Sequence, residues 1–152
     1  MTERKIREVF LPVFQRAVEA GCATFMTAYG SVDGTPLTAS RRMLKEILRE
    51  ELGFDGFVVT DWDNVRSLIT NQHVAEDMED ASAIAATAGN DMIMTTLDFY
   101  GAALQGVKNG KVLESDIDDA VRHILTVKFR MELMEKPEKK GRPGCIGCPE
   151  HL

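Results

Sequence analysis

The residues Gly56-Phe57-Val58-Val59-Thr60-Asp61-Trp62 set a carboxylate and an indole side by side at the end of an apolar run. A run such as Phe57-Val58-Val59, with no polar alternation, reads as a strand buried on both faces, the kind that builds parallel sheets. Asp61 then stands at the strand's C-terminal end, where α/β folds gather catalytic and binding groups. A carboxylate in that place can attack an electrophilic carbon or stabilise positive charge developing on it. Trp62 adds a broad apolar plane of the sort on which sugar rings stack. Together they point to carbohydrate chemistry. By pattern alone two plainer readings stay open: Asp61 as a cap of the following helix, and Trp62 as a core aromatic.

The elements that must position this pair follow from periodicity. Ile6, Val9, Phe10, Val13, Phe14 and Val18 recur at helical spacing, which predicts one amphipathic helix over 3–20 that stops near Gly21. Cys22 to Tyr29 is short and apolar and reads as a strand. Gly30 to Ser40 reads as a loop, with turn formers Asp33-Gly34 and Pro36. Ser40 caps a second helix that carries Met43, Leu44, Ile47 and Leu48 on one face and ends at Gly53. The strand 57–60 is followed by a short helix through Leu68. Glu76, Asp77, Glu79 and Asp80 mark the start of an alanine-rich helix over 81–88, because negative charge is favoured at a helix N-terminus. Gly89 ends it, and Asp91-Met92-Ile93-Met94 reads as a third strand. A further helix spans 97–108, and Ser115-Asp116-Ile117-Asp118 looks like the capping box of a last one.

Strands alternating with helices predict a parallel sheet, hence an α/β fold. About three strands are present, whereas a closed (β/α)₈ barrel needs eight strands and ~250 residues. The expected architecture is therefore a partial TIM barrel over 1–134. From Glu135 the composition turns to Lys, Pro, Gly and Cys, so 135–152 reads as a linker or tail leading toward another domain.

Bulk properties exclude several classes. The net charge of −6 argues against nucleic acid or an anionic membrane surface as a partner. No apolar run approaches the roughly 20 residues of a membrane span. Met1-Thr2-Glu3-Arg4-Lys5 is charged and runs straight into the first helix, unlike a signal peptide, and the compartment stays undetermined. The three cysteines are too few for a disulfide framework. Cys145-Ile146-Gly147-Cys148 with His151 has zinc-like spacing, but a structural zinc site wants four ligands. No metal and no cofactor is expected.

Longer motifs carry a family resemblance. The segments 26–36 (Met26-Thr27-Ala28-Tyr29 through Pro36) and 47–62 (Ile47-Leu48-Arg49 through Asp61-Trp62) resemble loops and strands of the family 3 glycoside hydrolases, the β-glucosidase-like enzymes. Ala88-Gly89-Asn90-Asp91-Met92-Ile93-Met94 and Val121-Arg122-His123-Ile124-Leu125 are similar to that family's last barrel strand and closing helix. The resemblance covers about 1–137. It implies retaining hydrolysis of terminal β-D-glucosidic bonds in a β-linked oligosaccharide or glucoside, with Asp61 as nucleophile. It further implies that Trp62 lines the sugar site and that Met26 and Tyr29 sit in the pocket, Tyr29 beside the nucleophile. The family usually has Asn where this chain has Gly30, and often at Asp33.

A retaining mechanism needs two carboxyl groups ~5–5.5 Å apart. No residue here matches the family's acid/base: Asp33, Asp63 and Asp98 fall on the loop side without fitting it, and His73, His123 and His151 lie in other segments. His73 and His123 read as a loop histidine and a helix-surface histidine. Two other functional readings remain. Val58-Val59-Thr60-Asp61-Trp62-Asp63 also looks like the phospho-acceptor strand end of a receiver domain, although the acidic pair such a domain needs after its first strand is missing. The chain also reads as a non-catalytic fragment that self-associates through open sheet edges.

Overall fold

The computed structural model describes residues 1–135 and Pro149. The expected tail beyond Glu135, with Cys145, Cys148 and His151, otherwise lies outside the described residues. The first helix, α1, covers 3–19: α-helical turns at Glu3–Lys5 and Leu11–Glu19 flank a π-helical stretch, Ile6–Phe10. The wide turn has a local cause. Pro12 has no N–H to give to Glu8, and the preceding Leu11 N–H reaches back to the Ile6 carbonyl instead. The remaining helices are α2 (Arg42–Glu51, π-helical), α3 (Asn64–Thr70), α4 (Met78–Ala88), α5 (Phe99–Lys108) and α6 (Glu114–Arg130). Among the described residues, no helix is long and apolar enough to cross a membrane.

Strand β1 (Thr24–Met26) pairs in parallel with β4 (Phe57–Val59), matching Thr24 to Phe57, Phe25 to Val58 and Met26 to Val59. The expected third strand is reduced to a parallel bridge between Val59 and Met92. Alternation decides the faces. Phe25 and Val58 turn toward the helices, where the Phe25 ring packs at a tilt against Phe14 and edge-on against Phe54. Thr24, Met26, Phe57 and Val59 occupy the opposite face, where Thr24 and Met26 are exposed and Phe57 and Val59 half-buried. The strands approach so closely at their start that a Cβ on Gly56 would lie 2.1 Å from the Ala23 carbonyl oxygen.

Gly30 to Ser40 is more ordered than a loop. Ser31–Val32 (β2) and Thr35–Pro36 (β3) form an antiparallel hairpin, followed by a 3₁₀ turn at Leu37–Ala39. Asp33 and Gly34 both have positive φ, 48° and 83°, the geometry that a two-residue hairpin turn demands. Strands of two residues are too short for a readable alternation, so only their turn was visible in the sequence.

The alanine-rich helix α4 is the structural centre. Asp77 caps it by accepting the Asp80 N–H at 2.8 Å, and Gly89 ends it at φ 106°. Ala81, Ala83, Ala85, Ala86 and Ala88 are buried on several sides, and their small side chains let α2, α3, α5 and α6 all approach. The expected capping box of α6 is not formed. Leu113 occupies the cap without a side-chain bond, and Ser115 lies inside the first turn, where Glu114 and Asp116 supply the favourable charge.

At the N-terminal end of the strands a buried carboxylate ties the layers together. Asp91, 3% exposed, accepts from the Val58 N–H at 2.6 Å and from Arg49 Nη2 at 2.5 Å. Its second oxygen takes His123 Nδ1 at 2.8 Å, which requires the proton on that nitrogen. Arg49 also donates to the Gly56 carbonyl. His123 is thus no simple surface histidine: the tertiary fold brings a buried carboxylate against it.

Helix α1 is seated differently. None of its residues is buried, and Val9, Phe10, Val13 and Phe14 are exposed. An apolar cleft of about 130 Å³ opens between it, α2 and β1. Ion pairs join α1 to α2: Arg7 grips Glu51, and Arg42 grips Glu3. Arg42 and Arg7 lower the Glu3 carboxyl to about 2 from its usual 4.5. A carboxyl depressed on folding contributes stability above its unfolded value and loses it as pH falls toward the folded one. Docking of α1 should therefore weaken between pH 4.5 and about 2, and Glu3→Gln should remove that component. Amide exchange of α1 against pH checks this, and an α1 signal equally pH-dependent in the variant would refute it.

Candidate active site

Asp61 stands one residue beyond β4, after Thr60, and neighbouring segments fix the turn that carries it. Thr60, fully buried, donates its N–H to the Met92 carbonyl and accepts the Met94 N–H on its hydroxyl. Asp63 donates to the Met94 carbonyl and to the Thr95 hydroxyl. The Asn64 N–H closes the turn on the Asp61 carbonyl at 3.2 Å. Asp63 and Thr95 both hold left-handed backbone, φ 48° and 54°. Two such residues meeting at adjacent strand ends is a conformation that only surrounding structure can maintain.

Within this frame Tyr29 and the Asp61-Trp62 pair come together. The Tyr29 hydroxyl donates to the Trp62 carbonyl at 2.6 Å, and Gln72 Nε2 holds the Tyr29 carbonyl at 2.9 Å. Burial of the Tyr29 hydroxyl, followed by the negative charges of Asp61 and Asp63 and a side-chain hydrogen bond to Asp61, raises its pKa above the ordinary 10. Trp62 is 66% exposed and Tyr29 49% exposed, so neither is a core aromatic. Nor does Asp61 cap α3: its Oδ1 accepts the adjacent Trp62 N–H at 2.6 Å.

Met26, 52% exposed, is level with Val59 in the strand register, two residues before Asp61. Among the described residues, no hydrogen bond or ring contact joins it to the other three. The carboxylates weighed as acid/base partners are engaged elsewhere. Asp33 accepts the Glu3 N–H at 2.8 Å, and Arg66 bridges Asp63 and Asp98. The described residues also contain no group of three side chains able to hold a metal ion.

Several supports of the site were invisible in the sequence. Asn64, Thr38, Thr27 and Asn90 are buried polar residues hydrogen-bonded to one another behind Asp61. Thr27 and Thr38 show in the sequence only as polar residues between apolar neighbours, and Asn64 and Asn90 not even as that. Gln72 and Arg66 gave none. The resulting arrangement is an open, one-sided site: a half-buried carboxylate with a phenol and an indole at its edge, facing solvent.

Asp61→Asn removes a negative charge beside the Tyr29 phenol, so the Tyr29 pKa should fall back toward 10. Titration of the Tyr29 ring by NMR reads this directly, and an unchanged midpoint would mean that the carboxylate does not face the phenol.

Comparison with known proteins gives this geometry a context. The glycosyl hydrolase family 3 N-terminal domain matches residues 1–127. The chain is 38% identical over 138 residues to a periplasmic beta-glucosidase of Salmonella typhimurium, covering 90% of this chain and 18% of that protein. It is 41% identical over 138 residues to a lysosomal beta glucosidase of Dictyostelium discoideum (89% and 17%), and 36% identical over 148 residues to a beta-xylosidase of Formosa agariphila (92% and 20%). Among solved structures, the beta-glucosidase of Listeria innocua in complex with glucose superposes with a TM-score of 0.92 at 31% identity, over 99% of this chain and 21% of that one. The chain thus spans about a fifth of the length of these relatives. The parallel α/β arc is part of a TIM barrel, and the receiver-like reading of Asp61 finds no support. This chain belongs to glycosyl hydrolase family 3.

Proposed function

We propose that this chain carries the nucleophile of a retaining β-glycosidase acting on terminal β-D-glucosidic bonds. The observation behind this reading is the half-buried Asp61 carboxylate at the C-terminal end of β4, beside the exposed indole of Trp62 and the phenol of Tyr29. In the first step an Asp61 oxygen bonds to the anomeric carbon, and the bond to the leaving oxygen breaks, carrying its electron pair away. Water then attacks the same carbon, the glycosyl ester releases Asp61, and the water's proton passes to a base. Trp62 and Met26 offer apolar surface to the sugar ring, and Tyr29 holds the Trp62 carbonyl so that the turn stays in place. The acid/base falls outside the described residues. In the same reading, 1–134 is the barrel portion and 135–152 leads toward a further domain.

A substrate that needs no acid tests the nucleophile alone. A dinitrophenyl β-glucoside with fluorine next to the anomeric carbon has a good leaving group and forms a slowly hydrolysed ester. The chain should gain the mass of one fluoroglucosyl group on the Asp61 peptide, and Asp61→Asn should gain none. The matching β-xyloside, run in parallel, separates the two sugar classes. An unlabelled wild type, or label on another residue, sinks the assignment.

A second observation favours self-association. Among the described residues, Met26 on the sheet stands half exposed, and α6 exposes Val121, Leu125 and Phe129 one turn apart. Apolar stripes of that kind seek cover. Light scattering should therefore find the isolated chain larger than a monomer, and a stable monomer at high concentration would count against this.

A further inference from the structure

The carboxylate of Asp61 accepts the N–H of the next residue, Trp62, at 2.6 Å, so the backbone turn that carries both residues sets its position, with the Tyr29 phenol at its edge. That turn rests on one buried side chain. Asn64 is fully buried, and its Nδ2 donates to the Thr38 hydroxyl at 2.7 Å while its Oδ1 accepts from Ser67 at 2.9 Å. The Thr38 hydroxyl donates to the Thr27 hydroxyl oxygen at 3.3 Å, and Thr27 donates onward to Asn90 Oδ1 at 3.5 Å. Asn90 Nδ2 returns to the Thr38 carbonyl and to the Ala85 carbonyl, both at 2.8 Å.

The circuit runs in one direction: each hydroxyl accepts one bond and donates one, so turning any of them breaks two. It connects the residue after β1, the 3₁₀ turn, the start of α3 and the entry to the third strand. Burying four polar side chains away from water is costly unless each is satisfied, and an apolar cluster there would suffice for packing alone. What a satisfied circuit adds over apolar packing is fixed geometry. Asn64 is the one residue of the Asp61 turn whose side chain enters it.

We propose that Asn64 is a positioning residue for Asp61, its amide locking the nucleophile's turn to Thr38 and thereby to Thr27, two residues from Tyr29. This rests on the reading of Asp61 as nucleophile. The lock itself is a statement about geometry that can be tested apart from reactivity.

The test uses the 152-residue chain with three readouts: helix content by circular dichroism, acrylamide quenching and anisotropy of Trp62 (the chain's single tryptophan), and the rate of fluoroglucosyl labelling at Asp61. Asn64→Ala and Thr38→Val break the same bond from opposite sides. Both should keep their helix content, loosen Trp62, and slow labelling on the order of 10²-fold, the penalty of a misplaced reacting group. Thr38→Ser, which keeps the hydroxyl, should restore the Trp62 signal and the rate lost in Thr38→Val. Val127→Ala, a core truncation in α6, should lower the urea midpoint without moving Trp62. Folded Asn64→Ala and Thr38→Val chains with unchanged Trp62 signals overturn the proposal. So does failure of both to fold while Val127→Ala folds, because the circuit would then be structural only. An unlabelled wild type removes the nucleophile reading, and the Trp62 comparison still decides whether Asn64 holds the turn.

Discussion

Asp91 is the point on which the layers of this chain converge. One carboxylate, itself almost closed to water, accepts the N–H of a residue in β4, a guanidinium from α2 and an imidazole from α6. Burial pulls the Arg49 guanidinium below its ordinary pKa even though Asp91 pulls the other way. A buried pair of this kind adds little net stability over an apolar replacement, but losing one partner strands the other and costs about 3–5 kcal/mol. Its value is in specification. The three-residue strands carry too few ladder bonds to fix their own register, and Asp91 fixes it from the side.

The two ends of the strands divide the work. At their N-terminal ends charge does the fixing, through Asp91, Arg49 and His123. At the C-terminal ends the neutral circuit of Asn64, Thr38, Thr27 and Asn90 holds the loops with no formal charge near the nucleophile's turn from behind. Charges appear there only where chemistry or its immediate frame needs them, in Asp61 and in the Arg66 bridge. Between the two ends, α4 supplies a core of methyl groups small enough to let four helices close around one.

The parts legible in the sequence are those governed by local rules. Phe57-Val58-Val59 announced a buried strand, Asp77 and Gly89 bracketed α4, and Asp33-Gly34 marked a turn. Periodicity also found α1, and it predicted an apolar face, but that face lies largely open because periodicity reports apolar residues and cannot name what covers them. The misses share a cause. His123, Asn64 and Thr38 acquire partners 26 to 32 residues away, and no local pattern encodes such a meeting. Ser115 failed for the opposite reason: its local signal was correct in kind, yet acidic residues one place away gave the helix an earlier start. The Asp61-Trp62 pair was legible because its chemistry is carried by adjacent residues, whereas the structure that aims it is assembled from distant ones.

The spacing of the Asp91 partners has a consequence for synthesis. A chain leaves the ribosome N-terminal end first, so β1 and β4 emerge together with Arg49 well before Asp91, and His123 emerges 32 residues later still. Until then the short parallel pair lacks its lateral clamp, and non-local pairings of this type form slowly. The nascent segment therefore waits with its strand pair unclamped, and the arrival of α6 at Asp91 supplies the last of the three contacts that hold it.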